Sequence, residues 1–209
     1  RKVPTYIEGS LKSTGKRGLT TENLALEYLD AAAPLMQIKE PTQEFKIKSI
    51  EQDALEMTHV RLQQMVKGLP VYGAEIIIHG DGQNFDFLNG TYFPTIEMEN
   101  VTPVYESHQT ISIAETDLGG AVKYENEVSN VGDLTPKSNL VIYPHNDKFT
   151  LAYHITMYKN LVDRWEYFID ANTGEVINKY TSICKFHNHK HGKGEQCNSL
   201  KQEAGSTSE

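Results

Sequence analysis

The stretch "HVRLQQMVKGLPVYGAEIIIHGDGQ", His59 to Gln83, decides the fold. In "THVRLQQMV", Val60, Leu62, Gln64 and Val66 recur at every second position, the period of a strand with one apolar side. His59, Arg61 and Gln63 fall on the opposite side. "KGLPVYG" then reverses the chain, "AEIIIHG" returns it, and "GDGQ" reverses it again into "NFDFLNG". Strands joined by such short turns pair antiparallel, so the stretch predicts a meander. Gln64 stands on the apolar side, where an amide must be hydrogen-bonded, and is therefore expected to fix the geometry of the sheet.

Upstream, "FKIKSIEQDA" alternates Phe45, Ile47 and, after a slip of one residue, Ile50, which adds another strand. "QIKEPTQEF" reads as a polar connector. Before it, "LTTENLALEYLDAAAPL" opens with threonines suited to a helix N-cap and carries Glu22 in its first turn. Leu24, Tyr28 and Leu29 share one face, so the pattern predicts a helix of about a dozen residues ending before Pro34. That helix is the natural cover for the apolar side of the meander.

Downstream, a second unit begins near Thr102. In "TISIAETDLGGAVKYEN", Ser112 and Glu115 have the spacing of a capping box, and Ile113 and Val122 mark a short helix weakened at Gly119-Gly120. Three strand segments follow: Asn139 to Pro144, Phe149 to Tyr158, and the hairpin "RWEYFIDANTGEVI", Arg164 to Ile177. In the hairpin Trp165, Tyr167 and Ile169 alternate with Glu166, Phe168 and Asp170, and "DANTG" tolerates turn dihedrals. Helix then sheet, twice over, predicts an α+β fold. It has two tandem small lobes, each an antiparallel sheet covered by a helix, and a flexible C-terminal tail. The expected divisions are an N-terminal arm and helix at 1–44, a first lobe at 45–101, a second at 102–183, and a Cys/His-containing tail or processing linker at 184–209.

Composition narrows the function. The 209 residues are 38% hydrophobic, enough for a modest core, and carry a formal charge of −8. An acidic chain lacks the basic face that phosphates require, so no nucleic acid is expected as a partner. No run approaches the roughly 20 apolar residues of a membrane span, so no membrane is expected either. The opening "RKVPTYIEGS" lacks the apolar segment of a signal peptide, so any such signal is expected to have been removed or never to have existed. Charging all eight histidines would bring the net charge towards zero, which makes the surface field sensitive to acid. Asn89-Gly90-Thr91 and Asn100-Val101-Thr102 match the glycosylation acceptor pattern, a match short enough to arise by chance. Asn89-Gly90 is read first as a turn.

Catalytic patterns are absent from the sequence. No histidine is followed by glutamate, which excludes the zinc-peptidase pattern H-E-x-x-H. There is no G-x-S-x-G and no G-x-G-x-x-G. "GSLKSTGKR" spaces its glycines one residue too widely for a phosphate loop and places Arg17 where Ser or Thr is required. His59, Arg61, Gln63 and Gln64 cluster on one strand without a nucleophile beside a base. The tail holds the one metal constellation: Cys184, His187, His189, His191 and Cys197, five soft or borderline ligands within 14 residues. A single Cys184–Cys197 disulfide loop is the competing use of the two cysteines and would fit an oxidising compartment.

Two of these stretches carry a resemblance. "HVRLQQMVKGLPVYGAEIIIHGDGQ" resembles the core motif of the fungalysin/thermolysin propeptide domain. "LAYHITMYKNLVDRWEYFIDANTGEVINKY", Leu151 to Tyr180, resembles the PepSY domain that follows it in precursors of thermolysin-like zinc metalloproteases. With the N-terminal helix, the resemblance spans roughly residues 20 to 183. Arg61, Gln64, Gly68, Pro70, Val71, Gly73 and His79 carry the first motif; Trp165, Asp170, Thr173 and Gly174 carry the second, and most of these are expected to be structural.

The resemblance implies a secreted or extracellular pro-region with no catalytic residues and no cofactor of its own. Its partner would be the cognate metalloprotease catalytic domain, which holds the zinc. Such a pro-region assists folding of its peptidase, keeps it inactive and is removed autocatalytically. The segment after Tyr180 would lie across the substrate cleft, where a tail histidine or cysteine thiolate could reach the partner's zinc. Strand edges such as Ala74 to His79 are candidates for pairing with the partner. Two alternatives stay open: a free-standing secreted inhibitor or binding module, and a metal-binding protein that uses the Cys/His tail.

Overall fold

Thr20 begins the first helix: its hydroxyl accepts a hydrogen bond from the Asn23 N–H at 3.4 Å, satisfying one of the free donors of the opening turn. In the computed structural model, which describes residues 3–9, 19–120, 134–160 and 163–181, this helix, α1, runs Thr21–Met36. It continues past the expected stop, because Pro34 sits in its last turn. The end comes at Gln37, whose left-handed backbone (φ 58°) turns its N–H onto the Ala33 and Pro34 carbonyls. The expected connector contains a further single turn, α2 (Pro41–Glu44).

Among the described residues there are nine strands, and most follow the sequence pattern. A short β1 (Tyr6–Glu8), which the sequence reading did not foresee, precedes α1. The meander is β2 (Phe45–Gln52), β3 (Thr58–Val66), β4 (Leu69–Gly80) and β5 (Phe85–Gly90). After α3 (Ser107–Asp117) come β6 (Lys137–His145), β7 (Lys148–Asn160), β8 (Asp163–Asp170) and β9 (Val176–Thr181). The slip expected in β2 is a bulge: the register with β3 shifts between Ile47 and Ser49. Asn89-Gly90, read as a turn, is strand: Ile77 pairs with Asn89 and Ile76 with Gly90. A Cβ at Gly90 would stand 2.3 Å from the Glu75 carbonyl oxygen, so the close approach of β4 and β5 requires glycine there.

Each lobe has its own core. In the first, Ala25, Tyr28, Leu29, Ala32, Ala33 and Met36 line one face of α1 and pack on Val60, Leu62, Ile76, Ile78, Phe85 and Leu88. In the second, Ala114 of α3 packs on Ile142, Leu151, Ile155, Tyr167 and Ile169. The cap of α3 lies earlier than expected. Ser112 is inside the helix and donates to the His108 carbonyl, whereas the box is formed at Glu106, whose N–H donates to Gln109 Oε1 at 2.8 Å.

The lobes are not separate sheets. Opposite the single residue Gln64, β4 carries four residues, Val71 to Ala74, with Gly73 at φ +69°. This excursion swings β4 away from β3 and lays Val71 beside Ile142 of β6 in a parallel pairing. The result is one continuous curled sheet in the order β1-β5-β4-β6-β7-β8-β9, with β3 and β2 attached to β4. The α+β class with a helix on each half stands as read. The strand that joins the halves was not legible.

Candidate functional site

The excursion of β4 is held by two neighbouring amides. Gln63 Nε2 donates to the carbonyls of Val71 (2.8 Å) and Ala74 (2.9 Å). Gln64, fully buried, exchanges two bonds with Phe93: its Nε2 donates to the Phe93 carbonyl at 2.8 Å and its Oε1 accepts the Phe93 N–H at 3.0 Å. Gln64 is thus hydrogen-bonded on the apolar side of the sheet.

Most of the other motif residues shape turns and seams. Gly68 (φ +85°) follows Lys67 (φ +48°) in the two-residue turn between β3 and β4, where Pro70 lies opposite Met65. Arg61 Nη1 lies 3.3 Å from Glu75 Oε2, and Lys48 pairs with the same carboxylate and, as the leading cause, holds it below the usual range. Asp170 Oδ1 accepts the N–H groups of Asn172 (2.7 Å) and Thr173 (2.9 Å), and the Thr173 hydroxyl accepts that of Glu175. This turn brings Gly174 against the Tyr105 ring. Trp165 is half-buried against the second core. Cys184, His187, His189, His191 and Cys197 lie outside the described residues. Among the described residues no group of three or more His, Cys, Asp and Glu side chains could hold a metal ion.

Two arrangements went unseen in the sequence. On the helix-free face of the second half, Tyr72, Tyr143, His154 and Phe168 form a cluster of rings 4.0–5.9 Å apart, and the Tyr72 hydroxyl meets that of Tyr180 at 3.0 Å. Burial, with Tyr180 second, pushes the Tyr72 phenol up. Beneath these rings Glu166 is buried and receives His154 Nε2 (2.8 Å), Thr156 Oγ1 (2.8 Å) and Arg164 Nη2 (2.6 Å). On the helix-free face of the first half, His59 and His79 touch, in a strand sequence that signals only alternation. The register that opposes them depends on a turn length which one strand does not encode.

The strand edge proposed from sequence is overturned. Ile76 to His79 are interior, with β3 on one side and β5 on the other, and Ala74 belongs to the excursion of β4. Among the described residues, the strands paired on one side alone are β1, β2 and β9. Among the described residues, α1 and α3 each cover one face of their half of the sheet, and the opposite faces carry the two clusters above.

Comparison with known proteins supplies the family. Residues 43–92 match the family "Fungalysin/Thermolysin Propeptide Motif", and residues 109–180 match "Peptidase propeptide and YPEB domain". Bacillolysin of Bacillus cereus is 33% identical over 194 residues, covering 86% of this chain and 32% of that protein. Thermolysin of Alicyclobacillus acidocaldarius is 29% identical over 187 residues, covering 87% and 33%. The chain thus spans about a third of the length of these relatives. Among solved structures, the Bacillus megaterium YpeB C-terminal domain superposes with a TM-score of 0.40 at 10% identity, covering 85% of this chain and 71% of that one. With a fungalysin/thermolysin propeptide motif followed by a PepSY domain, and homology to bacillolysin and thermolysin across both, the chain matches the propeptide of a thermolysin-like protease.

Proposed function

We infer that this chain is the pro-region of a secreted thermolysin-like zinc metalloendopeptidase, acting as intramolecular chaperone and inhibitor of the catalytic domain until autocatalytic removal. The observation that carries the reading is the order of the two propeptide families in a chain that spans only a third of its relatives. The remaining two thirds of such a precursor would supply the catalytic domain and its zinc. The zinc-peptidase pattern H-E-x-x-H does not occur in this sequence, so in this reading peptide cleavage falls to the catalytic domain.

A physical argument supports the chaperone role. A peptidase whose contacts are mostly non-local folds through a slow search, and a prefolded complementary surface lowers that barrier. The continuous sheet, in which β4 of the first half pairs with β6 of the second at Val71 and Ile142, supports this reading. Inhibition follows from position. The edge strand β9 ends at Thr181, and the chain that leaves it is tethered at high effective concentration to whatever the sheet binds.

Titration of the purified chain into an active thermolysin-like peptidase domain tests the reading. Stoichiometric inhibition that fades as the chain is cleaved is expected. An absence of binding at micromolar concentrations removes the proposal.

A further inference from the structure

His59 and His79 stand directly opposite each other on β3 and β4, on the face turned away from α1. Their Nδ1 atoms are 2.7 Å apart and their rings meet edge-on at 75°. The remaining ring nitrogens are also engaged. His59 Nε2 lies 3.1 Å from Asp53 Oδ2, and His79 Nε2 lies 3.2 Å from Asn89 Oδ1. Carboxylate and amide oxygens only accept, so both Nε2 atoms carry N–H, and the Nδ1 contact needs one donor and one acceptor. Three protons on four nitrogens satisfy the chain of bonds. A fourth would set N–H against N–H at 2.7 Å.

The surroundings decide what that fourth proton does. Across the sheet the row reads Glu51 on β2, His59, His79, Phe87 on β5 and Glu8 on β1. Arg61 and Asn89 stand in the next row, and Tyr6 on β1 donates to Glu8. Asp53, from the turn between β2 and β3, pairs with His59, which holds that carboxyl below the usual range. His79 touches His59, Asn89 and Phe87, whose ring stacks on it at 4.3 Å, and none of these is an anion.

We propose that the pair is an acid-operated clasp: with three ring protons it ties β3 to β4 and, through Asn89 and Phe87, to β5, and uptake of the fourth opens this end of the first sheet. Asp53 extends the effect to the neighbouring turn, because its Oδ1 also accepts the N–H groups of Leu55 and Met57. The clasp is internal to this chain and operates with or without a partner.

The direction of the pH effect follows from His79. Burial is the main cause holding this ring below the ordinary histidine value; the Asn89 bond opposes it and the His59 ring adds to it. Three protons on two rings make one of them an imidazolium, so the clasp is complete only over a window: a His79 ring that binds its proton less well folded than unfolded loses its contribution as pH falls below the unfolded value of about 6.5, and removal of the third proton at higher pH takes away the only donor of the Nδ1 contact. One extra proton on the unfolded chain makes the unfolding constant rise by up to about tenfold per pH unit below about pH 6.5.

Denaturant unfolding of the whole chain between pH 4.5 and 8 tests the clasp, comparing wild type with His59→Gln and His79→Gln. Wild type should lose stability steeply below about pH 6.5, and both variants should flatten that limb. Parallel pH profiles in all three would overturn the proposal. Should the variants fail to fold, ring-nitrogen NMR of the wild type decides. Nδ1 of His79 should stay unprotonated as pH falls through about 6.5, the ordinary histidine value, whereas protonation at that value would refute the clasp.

Discussion

Val71 pairs with Ile142 across the junction of the two halves, and both side chains are fully buried in the second core. A residue that belongs by chain order to the first meander is thus part of the second lobe's interior. The excursion that delivers it depends on Gly73 at φ +69°, where a Cβ would meet no atom within 4 Å. Any cost of a side chain there comes from the backbone alone.

Gly73→Ala is therefore expected to cost about 1–2 kcal/mol through the left-handed backbone, and to loosen the coupling between the halves. Gly90→Ala should be far worse, since its Cβ would overlap the Glu75 carbonyl. Urea unfolding followed by both tryptophan fluorescence and circular dichroism checks this. The single Trp165 reports the second half, so its transition should separate from the bulk signal in Gly73→Ala and coincide with it in wild type.

Gln64→Leu keeps the side chain's bulk and removes both bonds to Phe93. The loss of these two bonds should cost about 1–3 kcal/mol in all. A fall in the urea midpoint with unchanged slope is the expected result; a midpoint equal to wild type would show that water replaces the amide.

Glu166→Ala should be among the most damaging single changes, because His154, Thr156 and Arg164 converge on this one buried carboxylate. Breaking such a buried pair costs about 3–5 kcal/mol. Thermal unfolding is the measurement, and a loss under about 1 kcal/mol would mean that the carboxylate is solvated.

Asp117 governs part of the acid limb. Lys179 is the first cause holding its carboxyl below the ordinary range, and the Tyr167 hydroxyl, which donates to it at 2.9 Å, assists. A depressed carboxylate contributes stability above its unfolded value of about 3.9 and loses it as pH falls towards the folded value. Asp117→Asn should flatten the stability curve below about pH 4 and leave the limb assigned to His79 near pH 6 in place.

How much of this was legible in the sequence depends on the range of the interaction. The strand period placed Gln64 on the core side and Arg61 with His59 on the other, and the slip in "FKIKSI" showed the bulge before Ser49, because side-chain alternation is a property of one strand. Helix ends were less legible. Pro34 was expected to stop α1, yet a last turn accepts it, and the capping pattern at Ser112 lost to Glu106 and Gln109, which lie at the true start of α3. Pairings between distant strands were not legible at all. The stretch 74–79 looked like an edge because nothing local announces that β5 will cover Ile76 to His79, and the contact of His59 with His79 appears only once the register is fixed. The tail constellation of Cys184, His187, His189, His191 and Cys197 lies outside the described residues.

The central claim is that this sheet serves as a template for another polypeptide. The direct measurement is the activity recovered when a denatured thermolysin-like peptidase domain is refolded with and without the purified chain. The account predicts that recovery depends on the chain and that the refolded enzyme stays inhibited until the chain is degraded. Equal recovery in its absence, with no inhibition when it is present, would contradict the account.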